Sequence, residues 1–116
     1  MYSIEGTTIT LTRGDTMIAE VTPYQGDEPY VPQEGDTLRF VMKSNKMNTK
    51  RTEYVDPEPL VIKAIPTDTM LLRLDPEDTK PFGFGNYVYD IELTFADGKV
   101  DTFINNAELL LVPEVG

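Results

Sequence analysis

The run from Phe84 to Phe95 restricts the fold of this chain more than any other stretch. Tyr87, Tyr89, Ile91, Leu93 and Phe95 fall on one side of an extended backbone, and Val88, Asp90, Glu92 and Thr94 fall on the other. A period of two is what a half-buried strand requires; a helix would need apolar residues three and four apart. Five large apolar or aromatic side chains on one face predict a central strand. Gly85-Asn86 opens it, and Ala96-Asp97-Gly98-Lys99 supplies the turn chemistry for a hairpin into the next strand.

The same alternation recurs in shorter pieces. Thr7 to Thr12 places Ile9 and Leu11 together and threonines opposite, and Thr16 to Thr22 groups Met17, Ala19 and Val21 before Pro23 ends the pairing. Asp36 to Lys43 turns Leu38, Phe40 and Met42 one way. Leu60 to Ile65 and Thr69 to Leu74 flank Pro66-Thr67-Asp68, while Lys99 to Ile104 and Ala107 to Val112 close the set. Gln25 to Gly35 has no period and reads as a loop. Asp75 followed by Pro76 and an acidic first turn fits one turn of helix over 75–80. Residues 44–59 are polar and broken by proline and asparagine, which predicts a long loop or an extra edge strand over Thr49 to Val55. Residues 1–6 read as a flexible end.

Seven or eight short strands with turn residues about every ten positions predict an all-β domain over residues 1–116. The expected architecture is an antiparallel β-sandwich of immunoglobulin-like type, with a small barrel as the alternative. A helical turn just before the longest strand, with Tyr87 near that strand's start, is the arrangement found where a sandwich strand crosses between sheets. The chain fits one domain, and a domain of this length hides roughly two-thirds of its unfolded surface, enough for a core without staples.

Composition then narrows function. The chain has neither cysteine nor histidine. That excludes disulfides, zinc–thiolate sites and thiol nucleophiles, and it removes the commonest general base. No enzyme is expected, and no cofactor or metal. Twenty acidic residues against ten basic ones give a net charge of −10, which repels a phosphate backbone. The basic residues Lys43, Lys46, Lys50, Arg51 and Lys63 read as a solvated loop and not as a nucleic-acid face. No apolar run is long enough to span a bilayer, and the first residues show neither the basic nor the apolar region of a signal peptide.

Carboxylates are the only abundant reactive groups. Asp75, Glu77 and Asp78, and the pair Asp56 and Glu58, could ligate calcium, but capping and turn preferences explain them more simply. Asp90 and Glu92 read as a solvated strand face and not as a glycosidase pair. Arg13-Gly14-Asp15 spells an adhesion tripeptide and is also ordinary turn chemistry. Tyr2, Tyr24, Tyr30 and Tyr54 could line a sugar-binding surface. Gly-Asp-Thr occurs twice, at 14–16 and 35–37, each time directly before a strand.

Several apolar residues fall on faces assigned to solvent: Ile18, Val41, Val61, Leu71, Val88, Leu110 and Val112. Gathered on one sheet they would form a patch suited to a partner. A one-residue bulge would reverse any of these assignments. Ile18, Val41, Leu71, Val88, Leu110 and Val112 are therefore the candidate interface residues.

The order of Gly14-Asp15-Thr16 before a strand, Asp36-Thr37-Leu38-Arg39-Phe40-Val41-Met42-Lys43, Leu74 to Lys80, Phe84 to Leu93 and Asp97 to Thr102 resembles small structural proteins encoded by phages and prophages of Gram-positive bacteria. It is similar in layout to the N-terminal domain of phage baseplate upper proteins. The resemblance covers residues 13–112 as an order of elements. It implies a module that docks in several copies on a tail or baseplate, with other virion proteins and further copies of itself as partners. It implies location in the virion or host cytoplasm, while charge and hydropathy leave neither nucleic acid nor membrane as an expected partner. The multidomain members carry a stalk and receptor-binding domain beyond this module, and the sequence stops at Gly116. A carbohydrate- or peptide-binding sandwich module is the alternative reading.

Overall fold

The computed structural model describes residues 1–44 and 59–113. Ten strands and one short helix follow in order: β1 (Tyr2–Glu5), β2 (Thr8–Thr12), β3 (Met17–Glu20), β4 (Tyr24–Gln25), β5 (Glu28–Pro29), β6 (Thr37–Ser44), β7 (Pro59–Ile65), β8 (Leu71–Leu74), α1 (Pro76–Thr79), β9 (Gly85–Thr94) and β10 (Val100–Val112). Six of them form one sheet in the order β1-β2-β10-β9-β6-β7, and β3 pairs with β8 in a second sheet. The fold is all-β.

The two sheets share one core. From the large sheet come Ile9 and Leu11, Leu38, Phe40 and Met42, Tyr89, Ile91 and Leu93, and Leu109 and Leu111; the small sheet contributes Met17, Leu72 and Leu74. The alternation that identified β9 is obeyed, with Tyr89, Ile91 and Leu93 buried and Tyr87 and Phe95 packed at either end. The rings of Phe40 and Tyr89 meet at 5.3 Å between centroids. Each fully buried large side chain contributes roughly 1.5–3 kcal/mol relative to exposure, so this shared face holds the sheets together.

Several expectations are corrected. The large sheet is mixed and not purely antiparallel, because β2 runs parallel to β10, with Ile9 beside Leu109 and Leu11 beside Leu111. Such pairing is open to β2 because the chain leaves it for the opposite sheet and returns only at its last strand. Among the described residues there are ten strands, above the expected seven or eight; the difference includes the two-residue pair β4–β5 inside the expected loop. Residues 2–5, expected as a flexible end, form β1 against β2. Lys99 to Ile104 and Ala107 to Val112 are one strand, β10, that absorbs the asparagines through two register shifts against β9. Val61, expected outward, is buried in the core because it lies opposite Met42. The alternative edge strand over Thr49 to Val55 lies outside the described residues.

The helical turn is built as its residues predict. Asp75 caps α1, its backbone N–H donates to the Asp78 carboxylate at 2.7 Å, and Pro76 occupies the first turn. Thr79 at its end is 1% exposed, and its Oγ1 accepts the Gly14 backbone N–H at 2.8 Å. The turn between β2 and β3 is thereby tied to the turn before β9. Tyr87 then donates its hydroxyl proton to the Gly83 carbonyl at 2.8 Å. At the opposite end, Asp36 is buried and accepts from the Tyr30 hydroxyl at 2.5 Å, the Gln33 N–H at 2.8 Å and the Ala96 N–H at 3.2 Å. That carboxylate joins the loop before β6 to the β9–β10 hairpin.

Candidate interaction surface

The six candidate interface residues divide between two opposite faces. Ile18 and Leu71 lie on the outer face of the β3–β8 sheet, at 43% and 39% exposure. Val41, Val88, Leu110 and Val112 belong to the outer face of the large sheet. Registers of Val41 with Asp90 and of Val88 with Lys43, and the alternation of Leu110 and Val112 with buried Leu109 and Leu111, place these four on the side away from the core.

The large sheet's outer face is not a bare apolar patch. Val41 is only 2% exposed, so it is no surface contact, and it is buried apart from the shared core. Val88, Leu110 and Val112 are half-buried. Beside Val41 lies Asp90, which is 5% exposed and not solvated as expected. Asp90 reaches Lys43 Nζ at 3.1 Å and accepts the Asn106 backbone N–H at 2.7 Å. Asn106 sits at φ 53°, within the irregular stretch of β10, and that left-handed kink aims its N–H at the carboxylate. Arg39 and Glu92 pair at 2.8 Å on the same face. Ile62, opposite Val41 at the β7 side, is 55% exposed and was not among the candidates. Its alternation with Val61 was the signal that could have found it.

The outer face of the small sheet is simpler. Met17 and Leu74 pair inward, as do Ala19 and Leu72, so Ile18, Glu20, Leu71 and Arg73 all point out. Ile18 stands opposite Arg73, and Glu20 opposite Leu71. Tyr2, at the edge of the large sheet, donates its hydroxyl to the Ile18 carbonyl at 2.7 Å and closes one flank of this face.

The other sequence candidates have structural duties. Asp75 is bound by Arg73 Nε at 2.7 Å and by Lys63 at 3.4 Å, and Asp78 by Lys63 at 2.9 Å. The Arg73 bond, then that from Lys63, holds the Asp75 carboxyl below its ordinary range; Asp78 foremost pushes the Lys63 ammonium up. Among the described residues no group of three or more acidic side chains is placed to hold a metal ion. Lys43 and Lys63 are thus engaged with carboxylates and do not present a basic face, while Lys46, Lys50, Arg51, Tyr54, Asp56 and Glu58 lie outside the described residues. Arg13 stacks on the Phe84 ring at 4.5 Å, Gly14 binds Thr79, and Asp15 binds the Met1 ammonium, so each position of the tripeptide serves the fold. Tyr30 is tied to Asp36 and meets Phe95 edge-on at 5.7 Å; Tyr24 is exposed.

A cleft of about 110 Å³ opens between the sheets beside β1, lined by Ile4, Ile9, Ala19, Leu72, Tyr89 and Ile91 among others. The Tyr89 hydroxyl donates to the Thr7 carbonyl at its wall, and burial pushes that phenol up. A second hollow, of about 560 Å³, lies at the other end, between Leu60, Phe82, Phe84 and Tyr87. No helix among the described residues is long and apolar enough to cross a membrane. Comparisons with protein-family models, with curated proteins and with solved structures return no match to this chain.

Proposed function

We propose that the chain is a non-enzymatic assembly module of a phage or prophage particle, associated with its tail or baseplate and working through protein–protein contacts. The observation that carries this reading is the outer face of β3–β8, where Ile18 and Leu71 are exposed on a paired sheet. Apolar side chains gathered on an ordered face are what a partner covers.

The immunoglobulin-like part of the reading has its own support. In an immunoglobulin variable domain the last two strands, F and G, lie beside C and C′, facing a sheet that holds strands B and E. The order β10-β9-β6-β7 opposite β3–β8 follows that plan. The Tyr87 hydroxyl bond to Gly83 has the form of the tyrosine corner of such sandwiches.

Quantitative mass spectrometry of particles purified from the source strain tests the proposal. The chain should be present in several copies per particle, in a fixed ratio to tail proteins. Its absence from intact particles, with the chain abundant in the soluble lysate, contradicts the reading.

A further inference from the structure

We propose that the outer face of β3–β8 binds the same face of a second copy about a two-fold axis lying along the Ile18–Leu71 diagonal. The inference rests on the assembly reading above and specifies the partner and symmetry of one contact.

The four outward residues form a quadrilateral, with Ile18 and Leu71 at one pair of opposite corners and Glu20 and Arg73 at the other. Strands are about 5 Å apart and alternate residues of a strand about 7 Å apart. Laying one copy on another about the Ile18–Leu71 diagonal therefore stacks Ile18 on Ile18 and Leu71 on Leu71. The same operation brings Glu20 of each copy over Arg73 of the other, twice. No other axis in this face does so: an axis along the strands sets Ile18 against Arg73, and one across them sets Ile18 against Glu20. The diagonal axis crosses the strands of the two copies at about 70°, close to the orthogonal class of sheet packing. A patch that complements itself in this way is the requirement of an isologous dimer.

Charge makes a second copy the fitting occupant. The chain carries −10 overall, which opposes self-association across most of its surface. The four outward strand residues include one acid and one base, Glu20 and Arg73, which face each other across the axis. Glu20 has no ion-pair partner among the described residues. Arg73 uses Nε on Asp75 and keeps its terminal N–H groups for a further carboxylate. The face is small, well below the roughly 1,200 Å² of a standard interface, so the contact is weak in dilute solution. Copies held together in a particle would make it at a raised effective concentration.

Charge exchange tests the proposal, read by sedimentation velocity across a wide concentration range with a melting curve for each variant. The wild-type chain should dimerise reversibly. Glu20→Arg, which sets arginine against arginine, should weaken the dimer at least about tenfold, as should Ile18→Asp. Arg73→Glu should do the same, and Glu20→Arg with Arg73→Glu should restore it. Arg73→Glu also removes the contact with Asp75; if its melting curve collapses, Glu20→Arg and Ile18→Asp decide the matter. A dimer indifferent to both of those substitutions overturns this face while leaving the assembly reading intact. A wild-type chain that stays monomeric throughout overturns the two-fold contact, and particle composition then judges the assembly reading separately.

Discussion

Replacing Thr79 by valine isolates one hydrogen bond that fastens the helical turn to the β2–β3 turn. The two side chains have nearly the same shape, so Thr79→Val removes the acceptor of the Gly14 N–H without opening a cavity. Thr79 is 1% exposed and the bond is 2.8 Å long. A buried donor left without a partner costs about 1–3 kcal/mol. Gly14 is only half-buried and water can reach it in part, which places the expected loss at about 1–2 kcal/mol. For a chain of this length that lowers Tm by roughly 4–8 °C. Thr79→Ser keeps the acceptor and deletes one buried methyl, worth about 0.8 kcal/mol. Urea unfolding followed by circular dichroism, with the slope of each curve checked for equality, gives both values. Valine should be the worse substitution. If serine costs more than valine, packing and not the hydrogen bond holds this corner, and the structural role given to the Arg13-Gly14-Asp15 turn is wrong.

Other perturbations test other joints. Phe40→Ala, at a fully buried position against Tyr89, should cost about 3–5 kcal/mol in the same assay; a loss under 1 kcal/mol would show that the shared core is misplaced. Gly35→Ala should cost about 2–4 kcal/mol, since Gly35 sits at φ 91° and an added Cβ would lie 2.8 Å from the Ala96 Cβ. Adding Ala96→Gly should recover only part of that loss, because the clash is relieved and the backbone strain is not. The acid limb of stability supplies a further test. The Tyr30 hydroxyl bond, above all, holds the Asp36 carboxyl below its ordinary 3.8, and Arg73 does so for Asp75. Folded values below unfolded ones mean stabilisation that is complete above about pH 4 and lost as pH falls through the folded values. Asp36→Asn should flatten that limb, measured as Tm against pH, and an unchanged slope would remove Asp36 from the account.

Legibility in the sequence followed how local each cause was. β9 was readable because its period of two, its opening Gly85 and its Asp97-Gly98 hairpin all lie within fifteen residues or so of each other. The α1 turn was readable because Asp75 and Pro76 carry the capping chemistry themselves. β1 was not, since the alternation of Tyr2 and Ile4 with Ser3 and Glu5 spans only four residues and all four are exposed. The parallel pairing of β2 with β10 joins the two ends of the described chain and leaves no trace in either segment's pattern. β10 looked like two strands because an asparagine pair usually marks a turn; here the irregularity is absorbed within a strand, and Asn106 serves Asp90. Asp90 is buried between Lys43 and the kink of β10, beside Val41, a neighbourhood that only the assembled sheet brings together. All six candidate interface residues lie outside the shared core, with Val41 buried and the other five partly or well exposed, but one pattern cannot tell which sheet a strand joins. That is why Ile18 and Leu71 parted from the other four.

Light scattering of the purified chain over a hundredfold range of concentration tests the central claim, that this protein works through contacts with other protein surfaces and with its own. The account predicts a mass that rises reversibly with concentration above the 13.1 kDa of one chain. A mass fixed at 13.1 kDa up to the highest concentration would contradict the self-contact.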